Sequence, residues 1–156
     1  MKTLFHLAVV ALFTTVLSGQ DAVAADVIVD KAPPVPSCKF EGIRPTCGPI
    51  LKGADTLAII NGHRVRVITL KLGGAPKSRL GVLAFGHRRA KFPIPPAGCI
   101  LHLWPQAYVP FNSNAHGEAA LRFAVPAHLR FSVLMQSAHF TLRGPVLSNG
   151  LAAVCM

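Results

Sequence analysis

The sequence predicts an all-β protein, an antiparallel β-sandwich of about seven to eight strands with an immunoglobulin-like or jelly-roll-like arrangement. From residue 38 onward, short apolar runs alternate with groups of Gly, Pro, Asn or Ser, which is the rhythm of strands and turns. No window has the length and period of an amphipathic helix. The 156 residues are 51% apolar and 14% charged, which excludes a disordered tail or a coiled coil and indicates one buried core.

The first 24 residues have the pattern of a secretory signal peptide. Lys2 gives a positive start, an apolar run follows over 4–17, and Ala22-Val23-Ala24 supplies the small residues of a cleavage site. A membrane anchor is disfavoured because the run is shorter than the roughly 20 residues that a spanning helix needs. We predict cleavage after Ala24, no transmembrane segment after cleavage, and a secreted protein, periplasmic or extracellular.

The chain beyond the signal peptide divides into an arm and one domain. Residues 25–37 include Pro33, Pro34 and Pro36, and this spacing predicts an extended N-terminal arm that forms no regular set of backbone hydrogen bonds. Residues 38–156 form the predicted sandwich domain.

Seven segments of the domain have strand character. Arg64 and Arg66 alternate with Val65 and Val67, which predicts a strand with one face toward water and one toward a core. The same alternation recurs at 121–125 and, interrupted by Leu134, at 131–136. Turn residues stand between the segments at 61–62, 73–76, 93–98 and 112–117. The predicted strands are 56–60, 65–72, 80–85, 99–104, 118–125, 131–140 and 146–154.

Four cysteines in an exported chain are expected to form two disulfides. Their spacing alone leaves all three pairings open. A zinc site is disfavoured because Cys38, Cys47, Cys99 and Cys155 show no C-x2-C spacing and no nearby paired histidines. We therefore expect neither a metal nor a cofactor.

Several short motifs follow one another in a set order along the domain. They are Gly74-Ala75-Pro76, Gly98-Cys99-Ile100-Leu101, Gly117-Glu118-Ala119, Val125-Pro126, Gln136 and Ser148-Asn149-Gly150-Leu151. This order resembles the small secreted β-sandwich modules found in planctomycete and myxobacterial exported proteins, over residues 47–154. That family is mostly of unknown function, so the resemblance implies a fold and a location but no chemistry.

The resemblance also implies a disulfide pairing. Cys47 matches the family's entry cysteine and Cys99 its Gly-Cys strand, which implies Cys47–Cys99 and, with it, Cys38–Cys155. The alternative joins Cys38 to Cys47 and Cys99 to Cys155. The chain departs from the family in its entry sequence at 46–49, in a corner at 125–129 without a second proline, and in its extra Cys38 and Cys155.

No residue pattern indicates catalysis. Ser148 lacks the Gly-x-Ser-x-Gly turn that exposes a hydrolytic nucleophile. Asp55 and Glu118 are nearly the whole supply of folded carboxylates, too few for a glycosidase pair or a calcium site. The histidines are scattered without metal-ligand spacing, and Gln136, inside an apolar strand, is predicted to satisfy a buried backbone group. We predict that the protein is not an enzyme.

Positive charge is the one feature that suggests a partner. Sixteen Lys and Arg against six Asp and Glu give a formal charge of +10, and removal of the signal peptide takes one charge of each sign. Such a surface attracts anionic polysaccharide or another cell-surface polyanion. Sequence-specific nucleic-acid binding is disfavoured, since no recognition module is visible and Phe92 and Trp104 are not interleaved with the basic run. The candidate polyanion-binding residues are Arg64, Arg66, Arg88, Arg89 and Lys91.

We therefore expect a secreted, non-catalytic structural or interaction module of the cell envelope or extracellular space. The alternative is a binding module for anionic glycans or other polyanions, through a basic surface patch.

Overall fold

A computed structural model describes residues 37–44, 47–95 and 98–156. These residues form eleven strands and no helix, so the predicted all-β antiparallel sandwich is confirmed, with more strands than the seven or eight expected. The predicted signal peptide and the arm up to residue 36 lie outside the described residues. No helix that could cross a membrane occurs in the described part. The strands are β1 (Cys38–Ile43), β2 (Ile50–Ile60), β3 (His63–Gly73), β4 (Leu80–Gly86), β5 (Arg89–Ile94), β6 (Cys99–Leu103), β7 (Ala107–Asn112), β8 (Ala119–Pro126), β9 (Phe131–Thr141), β10 (Gly144–Leu147) and β11 (Gly150–Cys155).

Two antiparallel sheets stack face to face. The larger sheet has the order β1-β11-β9-β4-β7, with β10 paired to the far end of β9, and the smaller sheet has the order β2-β3-β8. Between them lies the main core, whose buried side chains include Leu70 of the smaller sheet and Leu83 and Met135 of the larger. Each strand contributes alternate residues to this core, as the period of a pleated strand requires.

A third layer covers the outer face of the larger sheet. The two-stranded hairpin β5–β6 packs Leu103 against Ala84, Leu134 and Ala152, which form a second buried cluster. This cover explains why four consecutive residues of β9, 134–137, are all buried. Their odd and even members face different cores, which accounts for the interruption at Leu134 in the sequence pattern.

Two disulfides tie the layers and the chain ends. Cys38 of β1 bonds Cys155 of β11, its direct partner in the strand register, and Cys47 of the β1–β2 connection bonds Cys99 at the start of β6. These are the pairs that the resemblance implies. The second disulfide is the covalent link between the sandwich and the hairpin layer.

Three strands were not predicted from the sequence, and one predicted strand is two separate strands in the structure. β1, β5 and β7 are short strands with many exposed positions, and β7 carries Pro110, which an edge strand tolerates. The predicted strand 146–154 breaks at Ser148 and Asn149 into β10 and β11. β2 begins at Ile50, six residues before its predicted start.

The sequence prediction for the faces of β3 is wrong at Arg66. Arg66 was expected on the water face with Arg64, yet it is 1% exposed, while Val65 and Val67 are half-buried on the opposite face. Arg66 shares its face with Ile68, Leu70 and Leu72, and burial of these three side chains sets the orientation of the whole strand.

Candidate functional site

The β5–β6 hairpin brings a basic run and two exposed aromatic side chains together. Arg88, Arg89 and Lys91 lie exposed at the start of the hairpin, and the backbone N–H of Trp104, which follows β6, donates to the carbonyl of Arg88 at 3.0 Å. The aromatics are not interleaved with the basic run along the sequence, but strand pairing brings the backbone of Trp104 beside Arg88.

The aromatic pair is exposed and in contact. Trp104 is 57% exposed and Phe92 38% exposed, and their ring centroids lie 5.4 Å apart at an interplanar angle of 58°. An aromatic side chain gains most free energy when it is buried. Because Trp104 is held at the surface, its exposed face is available to a binding partner. We call Arg88, Arg89, Lys91, Phe92 and Trp104 the aromatic-basic platform.

The backbone beneath the platform is held in place. A Cβ at Gly86, the last residue of β4, would overlap the carbonyl oxygen of Trp104, so only glycine allows this close approach. The N–H of Gln106 donates to the carbonyl of Phe85 at 2.8 Å, and its side-chain oxygen lies in hydrogen-bond contact with Nδ1 of His87. Trp104 is therefore fixed on both sides by contacts to the end of β4.

Gln136 of β9 anchors β6 from below. Its Oε1 accepts from the backbone N–H of His102 at 2.7 Å, and its Nε2 donates to the carbonyls of Ile100 at 2.9 Å and Ser148 at 2.7 Å. The side chain is 1% exposed. The sequence prediction that Gln136 satisfies buried backbone is confirmed, and this side chain ties the hairpin layer to the larger sheet.

The predicted polyanion-binding residues do not form one patch. Arg88, Arg89 and Lys91 follow one another at the start of the hairpin and are exposed, whereas Arg64 is exposed on the smaller sheet, with the larger sheet between it and the hairpin layer. Arg66 is buried and faces the interior, so it cannot line a surface. Sequence analysis missed Phe92 and Trp104 as site residues, although their places on either side of the 93–98 turn could have paired them.

Arg66 is instead part of an interior electrostatic contact. Its Nη1 donates to Sγ of Cys38 at 2.8 Å, its Nη2 donates to the carbonyl of Ala127 at 3.4 Å, and its Nε lies 3.6 Å from Oδ2 of Asp55. The same carboxylate oxygen accepts the backbone N–H of Cys38 at 3.1 Å. A buried charge needs such partners, and here they join the start of β1 to the smaller sheet.

Residue types that are common in active sites have structural roles in this protein. The hydroxyl of Ser148 accepts the N–H of Ser137 and donates to the carbonyl of Asn149, and the Asn149 amide pairs with both backbone groups of Leu51 across the two sheets. His102 belongs to β6 of the hairpin and His139 to β9 in the sandwich interior, on opposite faces of the larger sheet. No group of three potential metal ligands occurs among the described residues.

His139 is the most isolated of these polar groups. It is fully buried, its ring meets Phe111 edge to face at 5.1 Å, and neither ring nitrogen has a hydrogen-bond partner. Burial lowers the pKa of His139 below its ordinary value, because desolvation disfavours the charged imidazolium. The residue is therefore a neutral member of the core.

A separate cleft of about 530 Å³ opens between β1 and β2. Arg44 and Lys52 stand at its rim, and Leu51, Asn149 and Leu151 contribute to its lining. The Asn149 amide in its lining is already hydrogen-bonded to both backbone groups of Leu51. Comparison of the chain with protein-family models, with curated proteins and with solved structures finds no match.

Proposed function

We propose that this protein is a secreted, non-catalytic module that binds anionic polysaccharide on the aromatic-basic platform. The observation that carries the proposal is the exposed Trp104, held against Phe92 beside Arg88, Arg89 and Lys91. This assignment combines an interaction module with the polyanion-binding alternative, and it replaces the scattered basic set expected from the sequence.

The two parts of the platform suit the two parts of an acidic sugar. The flat C–H face of a pyranose ring packs on an indole face, which supplies apolar contact without burying polar groups. Carboxylate or sulfate groups on the same chain pair with guanidinium groups, which bind planar and tetrahedral anions through two hydrogen bonds at once. The aromatic part alone would bind neutral sugars, and the basic part alone would bind any polyanion.

Charge and location support the same proposal. Residues 37–156 contain fourteen Lys and Arg but only three carboxylates, Glu41, Asp55 and Glu118. Asp55 is occupied by Arg66 and Cys38, so little negative charge competes for the platform. The signal-peptide pattern of residues 1–24 and the two disulfides favour export, and acidic polysaccharides are abundant polyanions outside cells.

Intrinsic fluorescence tests the proposal directly, because Trp104 is the single tryptophan of the chain. Titration of the mature protein with heparin, used as the probe polysaccharide, should shift the emission to shorter wavelength and protect it from iodide quenching. Neutral dextran at the same mass concentration should give a much smaller change. An emission spectrum that heparin leaves unchanged would contradict the proposal.

Matched variants separate the platform from general basicity. On a heparin column we expect the wild type to elute near 0.3 M salt, roughly as counterion release by a few basic groups requires. The double variant R88A/R89A should elute earlier than K77A/R79A, which removes the same charge from an exposed turn outside the platform. Equal elution of the two double variants would assign binding to net charge alone.

A second pair of variants tests the aromatic part. W104A should weaken heparin binding, whereas F140A, which removes another aromatic side chain that is 60% exposed, should not. A single-stranded oligonucleotide of the same charge serves as the competing ligand, since bases also stack on aromatic side chains. Tighter binding of the oligonucleotide than of heparin at equal salt would replace polysaccharide with nucleic acid as the ligand.

A further inference from the structure

The β2–β3 hairpin ends in an exposed apolar tip. Leu57, Ile59 and Ile60 are 53%, 45% and 44% exposed, and they precede the tight turn at Asn61 and Gly62. Soluble proteins expose single apolar side chains everywhere, but a contiguous group of them marks a surface that meets something.

The tip lies beyond the buried inward-facing residues of the hairpin. Leu57 and Ile59 occupy the same face of β2 as the buried Leu51, so they point to the side on which the larger sheet lies. On this face the Asp55 carboxylate accepts the N–H of Cys38, and Arg66, the register partner of Leu57, is still buried. β2 continues for five residues beyond Asp55, about 17 Å at strand spacing, and Leu57, Ile59 and Ile60 in this part of the strand are exposed.

The β8–β9 connection adds to the same end of the molecule. The N–H of Ala127 donates to the carbonyl of Arg64 at 3.2 Å, which holds the connection alongside the hairpin. Leu129, two residues further, is 40% exposed. We call Leu57, Ile59, Ile60 and Leu129 the apolar tip.

Basic side chains surround the apolar tip. His63 and Arg64 of β3 and His128 and Arg130 of the β8–β9 connection are all exposed. Asp55, the carboxylate nearest to them along the hairpin, is paired with the buried Arg66. Arg64 and Arg130 therefore place positive charge beside the apolar side chains at this end of the molecule.

We propose that the apolar tip inserts into the surface of an anionic lipid membrane. A membrane surface of this kind is negative at the headgroups and apolar beneath, which matches the order of charge and apolar surface on the hairpin. A second copy of the chain would bring the same positive ring against this one, so self-association through the tip is opposed by like charge. The site is separate from the platform and does not depend on the proposed function.

Vesicle binding tests this proposal. The mature protein should float with vesicles of phosphatidylcholine containing about one quarter phosphatidylglycerol, bind pure phosphatidylcholine weakly, and dissociate partly at raised salt. The variant I59S/I60S should lose about tenfold or more in affinity, because it removes two inserted aliphatic side chains. The control L80S/L142S removes two leucines that are more exposed than these isoleucines, from the opposite end, and should bind as the wild type does.

Insertion depth distinguishes docking from simple charge attraction. In a W104F background, which leaves no other tryptophan, I60W should be quenched by lipids brominated on their acyl chains, while L80W should not. Equal quenching of the two, or unchanged affinity in I59S/I60S, would overturn the proposal. Vesicle binding that requires removal of residues 25–36 would also overturn it, since the chain's own arm would then occupy the tip.

Heparin elution of I59S/I60S keeps the two proposals apart. Neither isoleucine is part of the platform, so this variant should elute from heparin with the wild type whether or not it binds vesicles. Loss of both activities together with a lowered melting temperature would show damage to the fold and would overturn the assignment of the tip as an independent site.

Discussion

Replacement of Gln136 with methionine should weaken the attachment of the hairpin layer to the sandwich. Methionine keeps most of the side-chain volume but satisfies neither the His102 N–H nor the carbonyls of Ile100 and Ser148. A buried backbone group left without a partner costs about 1 to 3 kcal/mol. The edge of β6 can open to water and recover part of this cost, so we expect a loss of about 2 to 4 kcal/mol in the free energy of unfolding.

Denaturant melts with the disulfides intact measure this loss, and hydrogen exchange locates it. Amide protection should fall first at residues 100–103 and much less in β3, because only β6 loses its anchor. Gln106→Met is the matched control, since Gln106 is exposed and its substitution should change stability by roughly 0.5 kcal/mol or less. A Gln136→Met variant as stable as this control would refute the role of the side chain as the tie between layers.

Three other substitutions probe the site and the core. Gly86→Ala should displace the Trp104 backbone, cost about 1 to 3 kcal/mol, and shift the tryptophan emission; an unchanged spectrum would contradict the close approach of the two residues. The double variant in which both Cys47 and Cys99 are serine should lose about 4 kcal/mol in the free energy of unfolding, because the disulfide closes a segment with a separation of 52 residues. A loss below about 1 kcal/mol would show that the disulfide is dispensable. Burial lowers the pKa of His139, so below the ordinary histidine pKa of 6.5 the unfolded chain binds this proton while the folded chain does not, and the free energy of unfolding decreases as the pH falls. His139→Phe should remove this part of the decrease between about pH 7 and 5. Parallel pH profiles of the two proteins would refute this prediction.

Local signals in the sequence predicted the features that local chemistry determines. Asn61 and Gly62 both adopt positive φ angles, as a two-residue hairpin turn requires, and the alternation of Leu121 and Phe123 with Arg122 gives the correct faces of β8. These choices depend on neighbours in the chain. The same local information sufficed for the fold class.

Features that depend on distant partners were missed. The burial of Arg66 follows from Ile68 and Leu70 setting the inward face and from Asp55 standing within reach, neither of which the alternation around Arg64 reveals. The platform exists because the pairing of β5 with β6, which has an irregularity between Arg89 and Phe92, brings Trp104 back beside Arg88. The composition shows the positive charge, but only the pairing of β5 with β6 brings Trp104 close to the basic residues.

The bond between Cys38 and Cys155 closes the first and last strands into a covalent ring, with a separation of 117 residues along the chain. A protease that cuts one exposed turn anywhere between them opens the ring but liberates no fragment. The nicked molecule would still migrate as one species until a reductant is added. Such a closure lets the domain keep all its strands in one molecule after a first cleavage.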